Sequence, residues 1–318
     1  MNALAGFISP TPETFQSHRL HAQDRCWPET NCYVDLWIEI LAACGFEPEA
    51  MLGFTAALDW AGDQFVFPKP PLSDLELGFG VRVDELAIWD GLVGHIVAQL
   101  SRGNLCLVEV DGFWLPDTAS VSYRREHVKT TVAVCAISPV TRSAVCLHNA
   151  ACVRVSGEDF DGAFAEPELV PYVETVRFSA SPPDRTDIRA FAETNLARHR
   201  ARRPQHNPVR AFQAELEQRA ETLAARDPAL FHRFAFHTLR QLGSNFELLA
   251  DHLNWLYPDA AAGCARHCLT ISETARAVQF RMARAFNRRR FDGLALALEP
   301  AAESWDALFQ PGESALAA

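Results

Sequence analysis

The chain has 318 residues, 48% hydrophobic and 22% charged, the values of an ordinary globular protein, which exclude a disordered, collagenous or coiled-coil chain. Its length suits one catalytic-sized unit with a smaller second part. With 29 basic against 40 acidic residues the formal charge is -11, which excludes a protein that grips nucleic acid over its whole surface.

The charge is uneven. Residues 1–183 carry 11 basic and 24 acidic side chains, whereas residues 184–318 carry 18 and 16, so an acidic front and an arginine-rich back are expected to serve different surfaces. No run approaches the roughly 20 apolar residues of a spanning helix. The start, MNALAGFISPTPETF, lacks a basic segment followed by a long apolar one, so no membrane association and a cytoplasmic location are expected. Nine cysteines without the dense spacing of a secreted scaffold read as reduced thiols, mostly core filler.

Residues 1–27 form a polar, turn-rich arm. From Asn31, the residues Leu36, Trp37, Ile40, Leu41 and Cys44 recur at helical spacing and stop at Gly45. A second amphipathic helix is predicted from Glu85 to Leu100, ending near Gly103. Three strand-like runs follow, Asn104 to Leu115, Thr130 to Ile137 and Ala144 to Val155, rich in Val and bounded by Pro116, Pro139 and Gly157. Strands so spaced, without long helices between them, predict an antiparallel sheet and an α+β first half. The stretch SASPPDRTD, residues 179–187, is the expected boundary, giving an α+β catalytic domain over 1–180 and a helical domain over 188–318. The stripes Val209, Phe212, Leu216, Leu223 and Phe231, Phe234, Leu239, Leu242, Phe246, Leu249 carry the helical part.

The chemistry centres on CWPETNC. Cys32 falls in the first turn of the first helix with Thr30 or Asn31 as cap, where unpaired N–H groups and the helix dipole favour a thiolate. The same N–H groups are expected to hold the oxyanion of a tetrahedral intermediate. A nucleophilic thiol needs a base, and the base an orienting group. His127 lies directly before one strand and Asn149 within the next run, so antiparallel pairing would bring both to one end of the sheet. His148 and Asp117 are rivals for the orienting role. The bland readings are a packed cysteine, a solvated turn histidine and a turn asparagine.

TNCYVDLWIEILAACGFEP, VEVDGFWLPDT, YRREHVKTTVAV and LHNAACVRVSGEDF together resemble the Domain of Unknown Function 1839 family over most of the chain. Its members tend to sit beside ligases that load amino acids onto carrier proteins. More distantly, the layout of helix-borne Cys and strand-borne His over the first half is similar to the butirosin-type acyltransferases. These are papain-like enzymes that move an acyl group from a carrier-protein thioester to an amine.

The resemblance implies a papain-like core with Cys32 as nucleophile, His127 as general base and acid, and Asn149 as orienting group. It also implies a carrier protein with its phosphopantetheine arm and a small amine acceptor as partners, and no permanently bound cofactor. Papain-like proteases place a glutamine six residues before the cysteine, where this chain has Cys26. The second oxyanion donor is therefore left open, with Asn31, Thr30 and Gln23 as candidates.

Asp117 and Tyr123, in the loop LPDTASVSYRREH, and His148 are candidate substrate contacts, Asp117 by pairing with the ammonium of an aminoacyl group; its bland use is to cap a turn after Pro116. Cys264, His267 and Cys268 form a CARHC cluster without the second ligand pair of a structural zinc site, so no metal is predicted. In RAVQFRMARAFNRRRF the arginines Arg284, Arg288 and Arg289 are candidates to dock an acidic carrier protein or its phosphate. The alternative for them is a solvated helix end.

Overall fold

The computed structural model describes residues 9–180, 184, 187–258 and 260–309. The chain divides into two units that interleave along the sequence, one of residues 1–22, 31–48 and 71–187, the other of 23–30, 49–70 and 188–318. The expected boundary stretch falls partly on residues 181–183 and 185–186, outside the described residues.

The first unit is α+β. Its helices are α1 (Cys32–Ala43), α2 (Leu72–Phe79), α3 (Leu92–Ser101) and the single turn α4 (Glu158–Phe160). Its strands are β1 (Val81–Glu85), β2 (Leu105–Asp111), β3 (Lys129–Ser138), β4 (Ser143–His148), β5 (Ala151–Ser156) and β6 (Val173–Phe178). They form one antiparallel sheet in the order β1-β6-β2-β3-β4-β5. Gly45, at φ 74°, ends the first helix as its sequence predicts.

Two expectations are corrected. Glu85 to Gly91 is not helical. Glu85 pairs with Glu174 in the sheet, the Leu86 N–H donates to the Val173 carbonyl, and helix α3 begins only at Leu92. The expected strand Ala144 to Val155 is two strands, because Asn149 takes a left-handed φ of 45° and, with Ala150, turns the chain between His148 and its partner Ala151. Asparagine tolerates that conformation better than most side chains.

Strand alternation gives the sheet two faces. One buries Val108, Val110, Val132, Val134 and Cys146 against Leu92 and Ile96 of α3. Thr131, Glu109, Lys129 and Asp111 project from the opposite face. Cys32 of α1 meets Thr131 there, and Tyr33 reaches Glu174.

The second unit is helical, with α5 (Ile188–Ala201), α6 (Pro208–Arg226), α7 (Pro228–Leu256), α8 (Ala262–Arg288) and α9 (Glu299–Leu308). Two early segments belong to it because α7 satisfies their main chain. Glu247 accepts the N–H groups of Cys26 and Trp27 at 2.9 and 2.8 Å, Asn245 donates to the Thr55 carbonyl at 2.8 Å, and His252 bonds the Glu49 carbonyl at 2.7 Å. Gly243 leaves room for the Trp27 indole, which a Cβ would meet at 2.3 Å. No described helix is long and apolar enough to cross a membrane.

Candidate functional site

Asn31 caps α1. Its Oδ1 accepts the N–H groups of Tyr33 and Val34 at 3.2 and 3.0 Å, and its carbonyl accepts the N–H of Asp35 at 3.0 Å. Of the helix-start N–H groups expected to meet an oxyanion, those of Tyr33 and Val34 bond the Asn31 side chain, and among the described residues the Cys32 N–H has no hydrogen-bond partner. The Cys32 thiol is half-buried and donates a long bond to Thr131 Oγ1 at 3.7 Å.

Behind the thiol the helix is anchored by charge. The buried His21 imidazole lies 2.6 Å from Glu39 Oε1 and 3.3 Å from Asp35 Oδ1. Burial opposes its charge, but the hydrogen bonds to Asp35 and Glu39 outweigh it and raise the pKa from 6.5 to about 9. Glu174 accepts from the phenols of Tyr33 and Tyr172 at 2.8 and 2.9 Å. Burial and that carboxylate push both phenols well above their ordinary range.

His127 bonds through Nδ1 to Asp111 Oδ2 at 2.5 Å, and its ring stacks on Phe113 with centroids 4.5 Å apart. Among the described residues Nε2 has no hydrogen-bond partner, and 67% of the side chain is exposed. The group that orients His127 is Asp111, not Asn149, which serves the β4–β5 turn. Sequence reading missed Asp111, although VEVD ends one strand and EHVK begins its partner. In that register Asp111 stands opposite Lys129, two residues from the histidine.

Thr131 stands opposite Glu109, and Lys129 opposite Asp111. The Thr131 rung, where Cys32 packs, and the Asp111 rung, which holds His127, are thus on one face of the sheet, one two-residue step of about 7 Å apart along the strand. Between them runs the ion pair of Lys129 Nζ and Glu109 Oε1, 2.7 Å long. Beside the second rung opens a groove of about 520 Å³, lined by His127, Asp111, Lys129, Trp114, Leu169 and Tyr172 among others.

The other expected contacts lie elsewhere. His148, 2% exposed, bonds Asp117 Oδ2 through Nδ1 at 2.6 Å and Thr130 Oγ1 through Nε2 at 2.8 Å. Thr130 is on the α3 face, so neither His148 nor Asp117 faces the thiol. The Asp117 carboxylate, expected to pair with a substrate ammonium, is bonded by His148 instead. Tyr123 donates to Asp159 Oδ2 at 3.0 Å, beside the Arg124 guanidinium, which lies 4.4 Å above the Trp114 ring.

In the helical unit, Arg284 and Arg288 are exposed on α8. Arg289 ends that helix at φ 49° and donates to the Ala224 carbonyl at 2.9 Å. Cys264 and Cys268 sit on the buried face of α8, and among the described residues no group of three or more His, Cys, Asp or Glu side chains could hold a metal ion.

These features define a two-part protein, an open antiparallel α+β unit with a thiol and a histidine–carboxylate pair on one sheet face, and a helical unit. It belongs to the DUF1839 family: the DUF1839 N-terminal domain matches residues 16–178 and the DUF1839 C-terminal domain residues 185–311. No curated protein matches the chain.

Proposed function

We propose that the first unit is a papain-like cysteine acyltransferase that moves an aminoacyl group from a carrier-protein thioester to an amine, in a cytoplasmic biosynthetic pathway. The observation that carries this reading is the shared sheet face of Cys32 and the His127–Asp111 pair. A half-buried thiol at the start of α1 feels the positive end of the helix dipole. One step along the sheet stands an imidazole whose Nδ1 is held by a carboxylate and whose Nε2 is open to a proton.

In the proposed cycle His127 takes the Cys32 proton and the sulfur attacks the thioester carbonyl. The tetrahedral oxyanion is met by the Cys32 N–H. The C–S bond to the carrier arm breaks and the carrier thiol leaves with the proton. An amine then attacks the acyl-enzyme, the new C–N bond forms, and Cys32 is released as thiol. Exchange of one thioester for another costs little, whereas expelling an amine from an amide is harder, which favours transfer over proteolysis. The carrier protein's phosphopantetheine arm is the substrate carrier. Arg284 and Arg288 of the helical unit are proposed to meet its acidic surface.

The Lys129–Glu109 pair between the two rungs favours a second reading, a non-catalytic binding module in which thiol and imidazole never meet. A hydrolase using water is the third. One experiment separates them: incubation with an aminoacyl carrier protein, followed by intact mass. An adduct that Cys32→Ala abolishes and that is consumed only when an amine is added supports transfer. Release of free amino acid from the adduct identifies the hydrolase. Binding without any adduct identifies the module.

A further inference from the structure

The helical unit carries a cationic groove with an aromatic centre. Helices α7 and α8 are joined by residues 257–261 and run antiparallel. Two contacts set their register. Phe231 packs on Phe286 with ring centroids 5.0 Å apart, and the Trp27 indole reaches both Gly243 and, at 3.4 Å, the Ser272 carbonyl. Midway between these contacts Phe236 comes level with Phe280, and the two rings are 41% and 55% exposed. One turn toward Trp27, Arg240 comes level with Arg276. One turn the other way, His232 and Arg233 come level with Arg284.

The arginines gather around rings more than around carboxylates. The Arg276 guanidinium lies 5.0 Å over Trp27 and 5.3 Å over Phe280, and that of Arg240 lies 5.4 Å over Phe236. At this end Arg240 meets Glu29 at 3.9 Å, and Glu273 stands one turn before Arg276. At the other end Arg233 and Arg284 have no carboxylate partner among the described residues. Burial, and then the charges of Arg240 and Arg233, hold the His237 imidazole below its ordinary pKa, as cations without enough nearby anions do. Solvation accounts for the arginines but not for two phenylalanines exposed at one level between them. Cations on both sides of an apolar centre match a partner that brings carboxylates on both sides of an apolar side chain.

The eight residues from Arg276 to Arg284 span about 12 Å of helix. Carboxylates four residues before and four after an apolar residue on a second helix span the same length. An extended polyanion suits the chain less well, because its formal charge is -11 and residues 1–183 carry 24 acidic against 11 basic side chains. We infer that the α7–α8 groove is a docking surface for an acidic amphipathic helix of a partner protein. That helix sets an apolar side chain between Phe236 and Phe280 and its carboxylates on Arg276 at one end and on Arg233 and Arg284 at the other. Identifying the partner as the carrier protein rests on the function proposed above; the docking surface does not.

The test titrates the full-length protein into a fluorescein-labelled, stapled helical peptide of 15 residues, read by anisotropy at low salt. The peptide has Leu at its centre and Glu four residues before and four after it, in a background of Ala and Gln. Saturable micromolar binding is expected, weakened severalfold when the salt is raised to 300 mM. Phe236→Ala combined with Phe280→Ala, both on the exposed face, should weaken it at least tenfold. Arg233→Glu combined with Arg284→Glu should abolish it and admit the same peptide with Lys in place of Glu. No saturation at millimolar protein, undiminished binding to the double-alanine protein, or equal binding of a scrambled peptide of the same composition would overturn the inference. Tighter binding to vesicles of anionic lipid, or a dimer of the protein that the double-alanine variant abolishes, would overturn it too. Acylation of Cys32 by an aminoacyl pantetheine thioester, which brings no protein with it, should be the same in every variant. Failure of the groove therefore leaves the thiol chemistry standing, and an inert thiol leaves the groove standing.

Discussion

His127 Nδ1 and Asp111 Oδ2 lie 2.5 Å apart across the end of the β2–β3 ladder. Asp111 also accepts the Val128 N–H at 3.2 Å and the Phe113 N–H at 3.0 Å. The carboxylate is thereby held by the main chain on both sides, and it fixes the imidazole with Nε2 outward. A histidine that merely capped a turn would not need its ring stacked on Phe113 as well. Asp111→Asn should therefore lower the rate of Cys32 acylation by ~10²-fold, within the range of a lost general base. Its melting temperature should hardly change, because an exposed pair adds little stability. An unchanged rate would remove Asp111 from the mechanism.

The His148 cluster is predicted to be structural. His148→Ala leaves Asp117 and Thr130 without their shared partner and should cost ~2–3 kcal/mol in denaturant unfolding. Acylation of the folded fraction should proceed at the wild-type rate. A substrate contact would show the opposite pattern, with stability kept and KM raised.

His21 makes stability depend on pH. Its folded pKa of about 9 stands above its ordinary 6.5, so the folded state binds the proton more tightly than the unfolded chain. The stabilisation is fully present below pH 6.5 and is lost as pH rises through about 9. It amounts to roughly 3 kcal/mol for this buried group. Urea titrations between pH 6 and pH 9.5 should show that loss in the wild type, and His21→Gln should flatten it. A wild-type profile that rises over the same interval would contradict the assignment.

Asn31 is predicted to act as a cap. Asn31→Ala should cost ~1 kcal/mol by removing the acceptor for two N–H groups, while Asn31→Asp keeps that acceptor and should retain the stability. Equal losses in both variants, read from thermal unfolding, would argue against the cap.

The sequence made some of this legible and hid the rest for identifiable reasons. The first helix could be read because Asn31, the apolar stripe and Gly45 mark its start, face and stop together. Strands β1 and β6 hold as many Val residues as β2 and β3, but Arg82, Asp84, Glu85, Glu174 and Arg177 interrupt them, so they lack the continuous apolar run that exposes β2 and β3. The three- and four-residue spacing of Leu86, Trp89 and Val93 reads as helical because local periodicity cannot register that Leu86 bonds Val173, far along the chain. Cys32 and His127 were visible as chemical types at structural boundaries. Asp111 was not, because its role depends on the register of two strands. The assignment of residues 23–30 and 49–70 to the helical unit likewise rests on distant partners such as Glu247 and Asn245.

Whether Cys32 is acylated with the help of His127 is decided by the rate at which an aminoacyl pantetheine thioester acylates the intact protein. A single adduct is predicted on the wild type, none on Cys32→Ala, and a rate ~10²-fold lower on His127→Ala. An adduct that persists in Cys32→Ala, or a His127→Ala protein acylated as fast as the wild type, would contradict that role for the pair.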